Sequence, residues 1–365
     1  MTDDDTLIRV EELTKHFSVE SGLVNDVMNR IRGQETDKVH AVDGVSFELR
    51  EGETFGIAGE SGCGKTTTGM CLAKLYEPTD GSIYYGGQDI ANKSGEDLAT
   101  FRQNAQMIFQ DPFESLNPRM TVYDTVVEPL RIHDIPNQRA RVRRALEFAE
   151  LEPADQFFDQ YPHELSGGQR QRLAIARALV VDPDFIVADE PVSMLDVSLR
   201  AGVLSLLERM TDEFGLSVVY ISHDLSLLRH MCDRLAIMYM GKIVEQGPTE
   251  EIITDPKHPY TKSLIDAVPV PDPNSQRERV ELQGEVGDAV NVPTGCRFKD
   301  RCDEYIGGVC DKVSPPLEEK TDVDDEREVA CHLYESAEGF DPYVELERVD
   351  GRDGENDAGQ VYSDD

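Results

Sequence analysis

A glycine-rich stretch, GESGCGKT at residues 59–66, carries the residue types that hold phosphate, and we call it the phosphate loop. An apolar run precedes it and a helical pattern from Lys65 to Leu75 follows, which is the context that such a loop requires. Glycines allow backbone N–H groups to face an anion, Lys65 can reach the outer phosphates, and the Thr66 hydroxyl can bind Mg²⁺. The loop predicts a nucleoside triphosphate site. The candidate binding residues are Gly59, Glu60, Ser61, Gly62, Cys63, Gly64, Lys65, Thr66 and Thr67.

Two carboxylates end the apolar stretch FIVADE, residues 185–190. Asp189, at the end of a buried strand, is placed to bind Mg²⁺ through water. Glu190 is placed to polarise the water that attacks the γ-phosphate. A strand followed by two solvated acids is the alternative. In a chain that also contains a phosphate loop, Asp189 and Glu190 predict that ATP is hydrolysed and not only bound.

Two other polar residues come at the ends of apolar strands. Gln110 ends MIFQ, and His223 directly follows LSVVYIS. In a parallel sheet such positions lie at the edge that faces a ligand. Gln110 can reach Mg²⁺ and the attacking water, whereas a lone histidine is more often structural than catalytic. Both residues become candidates when they are combined with the phosphate loop and the two carboxylates.

A second glycine-rich helix start lies in ELSGGQRQRLAIARAL, residues 164–179, and contains no lysine at its glycines. We call Ser166–Gln169 the signature loop. The Ser166 hydroxyl and the N–H groups of Gly167 and Gly168 at a helix N-terminus form an anion site without a cationic side chain. The stretch therefore predicts a second phosphate-binding surface.

Alternating strands and helices form the frame that positions these residues, and they favour a largely parallel sheet. Residues 122–151 read as helical, with breaks expected near Pro129 and Pro136. The stretch RLAIMYMGKIVEQG, residues 234–247, predicts two strands around Gly241. The apolar runs that we interpret as parallel strands cover residues 54–59, 104–110, 184–190 and 216–222.

Taken in order, the phosphate loop, Gln110, LSGGQ, ADE and SHD resemble the nucleotide-binding subunit of an ATP-binding-cassette (ABC) transporter, over about residues 6–260. LSGGQ just upstream of the ADE strand is the most specific of these motifs. The resemblance implies that Phe17 stacks on adenine, that SMLD, which ends at Asp196, touches a partner subunit, and that His223 contacts the γ-phosphate. It also implies that the signature loop covers the triphosphate on the other subunit's phosphate loop. Hydrolysis then requires two subunits.

Further stretches, FQDPFESLNPRMTV, HPYTKSLIDAVP and the cysteine-bearing tail, resemble the oligopeptide and dipeptide importers, in particular the second of their two ATPases, over about residues 6–335. The resemblance implies a similar second ATPase or a second copy, two membrane-spanning permeases and an extracytoplasmic solute-binding protein. It also implies that residues 121–151 receive a permease helix, a plain helical subdomain being the alternative. The cargo stays open between peptides, nickel and other small solutes, because the ATPase never touches it.

The expected fold class is α/β: a P-loop NTPase of the ABC cassette type with a mostly parallel sheet, an antiparallel β part and a helical subdomain at about residues 111–180. The nucleotide-binding domain is expected at residues 1–268 and the small extension that carries the cysteines at 269–335, after the proline-rich run PVPDP. The acidic residues 336–365 are expected to be a disordered tail.

Four of the seven cysteines lie in the extension, with the spacing C-x5-C-x7-C-x20-C. Four thiolates can hold zinc or an iron–sulfur cluster, but structural zinc usually shows tighter pairs. The resemblance adds that related importers carry a [4Fe–4S] cluster here, so we expect a cluster ahead of zinc and of free or disulfide-linked thiols. Arg297, Lys299 and Arg301 are expected to favour thiolates. The candidate ligands are Cys296, Cys302, Cys310 and Cys331.

Charge limits the partners of the chain. Its 36 Lys and Arg against 72 Asp and Glu give a net charge of −36, which argues against nucleic acid and against a soluble cassette ATPase that acts on DNA or ribosomes. The 11 lysines against 25 arginines resemble proteins of salt-loving organisms, the alternative being an acidic mesophilic protein. Without a long apolar run or a signal peptide, we expect a peripheral protein on the cytoplasmic face of the membrane.

Overall fold

The computed structural model describes residues 5–18, 38–90, 93–267, 289–290, 292–321, 323, 326–337, 339–346 and 348–349. The expected proline-rich linker and the end of the expected acidic tail lie outside these residues. The chain forms two compact units. The first contains residues up to Lys15, Gly44–Ala58 and Lys65–Asp233, and the second contains His16–Asp43, Gly59–Gly64 and the residues from Arg234 on.

Four parallel strands form the centre of the first unit, in the order β3-β8-β7-β6. Every residue of β3, β7 and β8 is buried, as expected for a parallel sheet with both faces covered. The register pairs Ala58 with Ser222, Asp189 with Ile221, and Ile108 with Ala188, so the four strands end at one edge. The strand bounds are Thr54–Ala58 (β3), Ala105–Ile108 (β6), Phe185–Asp189 (β7) and Ser217–Ser222 (β8).

A second sheet has the order β2-β1-β4-β5, and β4 pairs antiparallel with both β1 and β5. Ile8 and Val10 of β1 are buried, whereas Arg9 is half-buried and Glu11 exposed, so this sheet covers the core with one face. The strand bounds are Thr6–Ser18 (β1), Lys38–Arg50 (β2), Asp80–Tyr85 (β4) and Gln88–Asp89 (β5).

The first helix of the first unit, Lys65–Leu72, packs closely on the parallel sheet. A Cβ at Gly69 would lie 2.7 Å from Ile221 Cδ1 and 2.9 Å from Val187 Cγ1, so glycine permits this approach. The other α-helices of this unit are Gly95–Asn104, Pro112–Ser115, Val122–Ile132, Gln138–Phe148, Gly167–Leu179, Val197–Phe214 and Leu225–Met231.

The helix break that we expected at Pro129 is wrong, because the helix Val122–Ile132 continues through this residue. Proline removes one backbone N–H from the helix. Pro129 lies on the buried face with Val126 and Leu130, and we infer that packing of this face outweighs the lost hydrogen bond. The break near Pro136 is confirmed, since the next helix starts at Gln138.

In the second unit, β10 pairs antiparallel with β9 and with β11. The predicted pair of strands around Gly241 is confirmed, and Gly241 has a φ of +82° in the turn. The strands are Arg234–Tyr239 (β9), Lys242–Pro248 (β10) and Glu328–Val329 (β11), and the α-helices are Thr249–Thr254, Pro259–Asp266 and Gly308–Lys312. Across the described residues of both units, we find no helix that combines the length and apolarity needed to cross a membrane.

Candidate functional site

The loop Gly59–Gly64 follows a tight backbone path within the second unit. Gly59 and Gly64 have φ angles of +151° and +107°. A Cβ at Gly59 would lie 2.2 Å from the carbonyl oxygen of Met238, and one at Gly64 would lie 2.0 Å from that of Ala41. Any side chain at these two positions would therefore displace the loop. Within the loop Cys63 is buried, whereas Ser61 and Gly62 are exposed.

Lys65, Thr66 and Thr67 start the first helix of the first unit, where Thr66 is exposed and Thr67 half-buried. Burial raises the pKa of Asp189 to about 6, and the charge of Glu190 also raises it, while a hydrogen bond from Thr66 and the charge of Lys65 lower it. Among the described residues, the buried Oδ1 atom of Asp189 has no hydrogen-bond partner. A buried carboxylate oxygen without a partner, beside a hydroxyl group, fits a bound Mg²⁺.

Glu190 and His223 contact each other at the edge where the parallel strands end. Glu190 Oε1 accepts the backbone N–H of His223 at 3.0 Å and lies 2.6 Å from His223 Nδ1. The Glu190 backbone has a φ of +47°, held by its N–H bond to the carbonyl oxygen of Ile221. Such a left-handed conformation costs a non-glycine residue about 1–3 kcal/mol. The imidazole is 65% exposed, so its Nε2 edge is available to a ligand.

Gln110 lies two residues beyond the end of β6 and is exposed. Because β6 pairs with β7, Gln110 follows the strand next to the one that ends in Asp189. Phe17 is the last residue but one of β1 and is half-buried in the second unit.

The signature loop is closed on itself at the start of the helix Gly167–Leu179. Ser166 Oγ accepts the N–H of Gln169 at 3.3 Å, and Gln169 Oε1 accepts the N–H of Ser166 at 2.8 Å. This reciprocal pair is a capping box. Ser166 is exposed, and Gly168 is buried against Leu199. The loop is therefore rigid and presents its serine at the surface.

The SMLD stretch lies on the surface close to the signature loop. Asp196 is exposed at the start of the helix Val197–Phe214, and its side chain makes no capping hydrogen bond. Met194 is 62% exposed and Val197 is 81% exposed. Leu199 of the same helix lies against Gly168, which joins the two surfaces. Exposed apolar side chains beside an anion-binding helix start are typical of a surface that another chain covers.

The four cysteines of the extension line one small cavity in the second unit. Burial, with a smaller contribution from neighbouring cysteines, raises the pKa of Cys296 to about 11 and that of Cys331 to about 12. None of the seven cysteines, all of which are described, forms a disulfide. A metal that binds here must therefore displace thiol protons.

The expectation that nearby basic residues favour thiolates is wrong. Arg297 contacts the Asp43 carboxylate and the carbonyl oxygen of Met240, and Lys299 Nζ donates to the carbonyl oxygen of Thr294 at 2.9 Å. Arg301 binds a carboxylate of the phosphate loop. Carboxylates and carbonyls are better acceptors than a protonated thiol, so these three side chains bond to oxygen atoms, although Lys299 lines the same cavity as the cysteines.

The spacing of the sulfurs can be compared with that of a zinc site. A tetrahedral zinc with Zn–S bonds of about 2.3 Å holds its sulfurs only about 3.8 Å apart. In the described part of the chain, the only three potential ligand atoms within 4.8 Å of one another belong to His16, His40 and Asp43, so no three cysteine sulfurs come that close. The four sulfurs are therefore not spaced for a single tetrahedral zinc ion in this structure.

The group of His16, His40 and Asp43 had no signal in the sequence. His16 Nε2 lies 3.0 Å from Asp43 Oδ1, and the two histidine rings are 4.0 Å apart. Because Arg297 already contacts the Asp43 carboxylate, we interpret the group as a support for the end of β1, which carries Phe17. Two residues that reach the phosphate loop, Tyr260 and Arg301, also went unrecognised.

Comparison with known proteins gives consistent matches. The family model described as ABC transporter matches residues 42–193, and the one described as Oligopeptide/dipeptide transporter, C-terminal region, matches residues 244–310. The oligopeptide transport ATP-binding protein AppF of Bacillus subtilis is 45% identical over 336 residues, which cover 90% of this chain and 98% of AppF. The dipeptide transport ATP-binding protein DppF of Haemophilus influenzae is 44% identical over 317 residues, covering 87% of this chain and 94% of DppF.

A solved structure supports the fold. The dimeric, post-hydrolysis structure of the ATP-binding cassette MJ0796 bound to ADP and Pi aligns with a TM-score of 0.56 and 27% identity, and covers 67% of this chain and 99% of MJ0796. The predicted ABC cassette fold and the predicted ATPase class are thus confirmed. The chain belongs to the ATPase subunits of ABC transporters, in the oligopeptide/dipeptide transporter family.

Proposed function

We propose that this ATPase powers the import of dipeptides or oligopeptides through a membrane transporter. The match of residues 244–310 to the oligopeptide/dipeptide C-terminal region carries this proposal, and the names of the relatives support it. The partners are a similar second ATPase or a second copy, two permeases and an extracytoplasmic solute-binding protein. The subunit works at the cytoplasmic face of the membrane.

Each side chain has a role in the proposed reaction. The backbone N–H groups of the phosphate loop and Lys65 bind the triphosphate, and Phe17 stacks on adenine. Thr66, Gln110 and Asp189 hold Mg²⁺, which neutralises charge on the outer phosphates when it is bound. Glu190 orients the attacking water, and its contact with His223 keeps the imidazole in place beside the γ-phosphate.

The signature loop of the partner completes the reaction. The exposed Ser166, with Gly167, Gly168 and Gln169, binds the γ-phosphate side of the nucleotide held by the other subunit. Exposed Met194 and Asp196 provide contacts between the subunits. Two chains close around ATP and open again after ADP and phosphate leave, and this movement is passed to the permeases.

A groove of the first unit offers a docking place for the permease. A cavity of about 680 Å³ lies between the helical region and β6. Its lining includes exposed Leu75 and Ile132, apolar Met107 and Phe109, and the positively charged Arg177. A short amphipathic helix with an acidic residue suits this composition. The groove includes residues of the region 121–151 in which the sequence suggested this contact.

The four cysteines of the extension hold a [4Fe–4S] cluster in this proposal. The resemblance to importers that carry such a cluster supports this assignment, and no three of the sulfurs lie as close together as zinc would require. If bound, a cluster would cross-link the segments of the extension that carry Cys296, Cys302, Cys310 and Cys331. Anaerobically purified protein is expected to be brown and to contain four irons and four sulfides per chain; zinc in place of iron would contradict this assignment.

The proposed domains are a nucleotide-binding domain at residues 1–268 with its helical subdomain at about 111–180, a cysteine-bearing extension at 269–335 and an acidic tail at 336–365.

The net charge of −36 supports function in concentrated salt. The melting temperature is expected to rise between 0.1 and 3 M KCl, because the Debye length falls from about 10 Å at 0.1 M to below about 3 Å above 1 M, which screens the repulsion between carboxylates. A falling melting temperature would contradict a halophilic origin.

Reconstitution tests the transport role. The chain is assembled in proteoliposomes with its second ATPase, permeases and binding protein, and uptake of labelled dipeptide and oligopeptide is measured with ATP inside. Peptide uptake that needs ATP supports the proposal. Uptake of nickel or another solute without peptide favours the alternative cargo. Failure to associate with permeases, together with binding to DNA or ribosomes, would favour a soluble ABC ATPase.

A further inference from the structure

Glu60, the second residue of the phosphate loop, is held at both its backbone and its side chain. Its N–H donates to Tyr260 Oη at 2.9 Å. Its carboxylate accepts two hydrogen bonds from Arg301, with Nη1 2.8 Å from Oε2 and Nη2 3.0 Å from Oε1. Tyr260 lies in HPYTKSL and Arg301 between the first two cysteines of the extension, so both contacts come from the C-terminal part of the chain.

Arg301 is fixed before any nucleotide arrives. Its side chain is only 6% exposed, and its guanidinium lies 5.8 Å from the ring centre of Tyr239 and 6.0 Å from that of Phe298. These two rings and Tyr260 contact one another at centroid distances of 4.6–5.4 Å. A bidentate arginine–carboxylate pair whose guanidinium lies beside aromatic rings is held in one geometry. Such a pair is stronger than an ion pair on an open surface, because less side-chain freedom is lost when it forms.

The charge of Glu60 gives this contact a consequence for ATP. A glutamate in the phosphate loop repels a triphosphate unless a nearby cation neutralises it. The hydrogen bonds that Arg301 donates to Glu60 raise the pKa of Arg301 above its ordinary value, so the guanidinium keeps its charge. The same two hydrogen bonds fix the orientation of the Glu60 side chain, and with the bond to Tyr260 they limit the movement of the loop.

We propose that Arg301 is a positioning residue for ATP, which neutralises and fixes Glu60 so that the phosphate loop is shaped for the nucleotide in advance. The cysteine-bearing extension thereby sets the ATP affinity of the cassette. Preformed loops bind more tightly because less conformational freedom is lost on binding. Removal of Arg301 leaves a negative charge in the loop and frees its side chain. Both effects weaken ATP binding.

A double-mutant cycle on the full chain tests the proposal, with the dissociation constant of a fluorescent ATP analogue as the readout. Arg301→Gln is expected to raise this constant about tenfold in the wild-type background, equivalent to about 1.4 kcal/mol. In the Glu60→Gln background, where no charge needs neutralising, the same change is expected to cost under about threefold, so the two effects are not additive. Arg301→Lys, which keeps the charge without the two-pronged geometry, is expected to recover part of the affinity.

Arg297→Gln is the matched control. Arg297 lies in the same segment but contacts Asp43 and Met240, so its removal is expected to have the same effect in both Glu60 backgrounds. A cost of Arg301→Gln that is equal in both backgrounds would overturn the proposal and indicate a general loss of folding, which circular dichroism of each variant would detect. Unchanged affinity of Arg301→Gln would also overturn it.

The proposal rests on the assignment of residues 59–66 as the phosphate loop. Lys65→Ala separates the two ideas, because it is expected to abolish nucleotide binding whether or not Arg301 positions the loop. If Lys65→Ala binds ATP normally, the loop assignment and the role of Arg301 both fail. If Lys65→Ala loses binding and Arg301→Gln does not, only the role of Arg301 fails.

Discussion

The edge of the parallel sheet and the signature loop differ in where their side chains find partners. At the sheet edge, Asp189 and Glu190 are buried and interact with Thr66 and His223 of the same chain. In the signature loop, Ser166 is exposed and bonded only within its own turn as far as the described contacts show. In the first region the candidate metal-binding and water-orienting groups find partners within one subunit. In the second the serine is presented outward, as the proposed contact with another subunit's nucleotide requires.

The largest effect is expected when the chemistry of the sheet edge is removed. Glu190→Gln keeps the size of the side chain but loses the carboxylate that orients water, so hydrolysis by the assembled transporter should fall at least 100-fold while ATP binding stays. Phosphate release and binding of a fluorescent ATP analogue measure the two steps. Hydrolysis at the wild-type rate would refute the assigned role.

Ser166→Arg asks whether the signature loop acts on another subunit. The bulky cation should leave ATP binding by the isolated subunit nearly intact and lower hydrolysis by the assembled pair by about 10–100-fold, because removing one stabilising donor has effects of this order. Ala140→Arg, at an exposed position of the helix Gln138–Phe148, controls for added charge. Lost ATP affinity in the isolated Ser166→Arg subunit would mean that both regions serve one nucleotide in one chain.

Asp189→Asn tests the metal site of the sheet edge. The amide keeps the shape but not the charge of the ligand, so the Mg²⁺ concentration for half-maximal hydrolysis should rise about tenfold. A titration of hydrolysis against free Mg²⁺ at constant ATP measures it. The same titration on Ser166→Arg should keep the wild-type midpoint, and an unchanged midpoint in Asp189→Asn would exclude this carboxylate as a ligand.

The smallest effect concerns the capping box of the signature loop. Gln169→Ala removes the side chain that accepts the N–H of Ser166, so the free energy of unfolding should fall by about 1 kcal/mol. Thr121→Ala, which removes a similar cap from the helix Val122–Ile132, should destabilise equally without slowing the assembled pair. Urea unfolding and phosphate release distinguish the two variants. If Gln169→Ala and Thr121→Ala lose hydrolysis equally, the signature loop only stabilises its helix and has no separate role in the reaction.

The sequence predicted the parts that depend on neighbours in the chain or on strand ends. The polar residue types that follow β6, β7 and β8 were sufficient to predict that Gln110, Glu190 and His223 come just after strands of the parallel sheet, because parallel strands end at one edge. Their roles in hydrolysis stay predictions. Contacts between distant residues had no such signal. Arg301 and Glu60 are 241 positions apart, so the sequence did not indicate their contact. The positive charge of Arg301 and its place among the cysteines instead suggested a role beside the thiols.

The left-handed backbone of Glu190 has a consequence for how this protein can change. Glycine is the residue that adopts such a backbone without strain, so Glu190→Gly should relieve this strain, while it removes both contacts with His223 and ends hydrolysis. The backbone at this bend favours glycine, whereas the contacts and the proposed chemistry of the carboxylate favour glutamate. A related subunit with glycine here is expected to have lost hydrolysis.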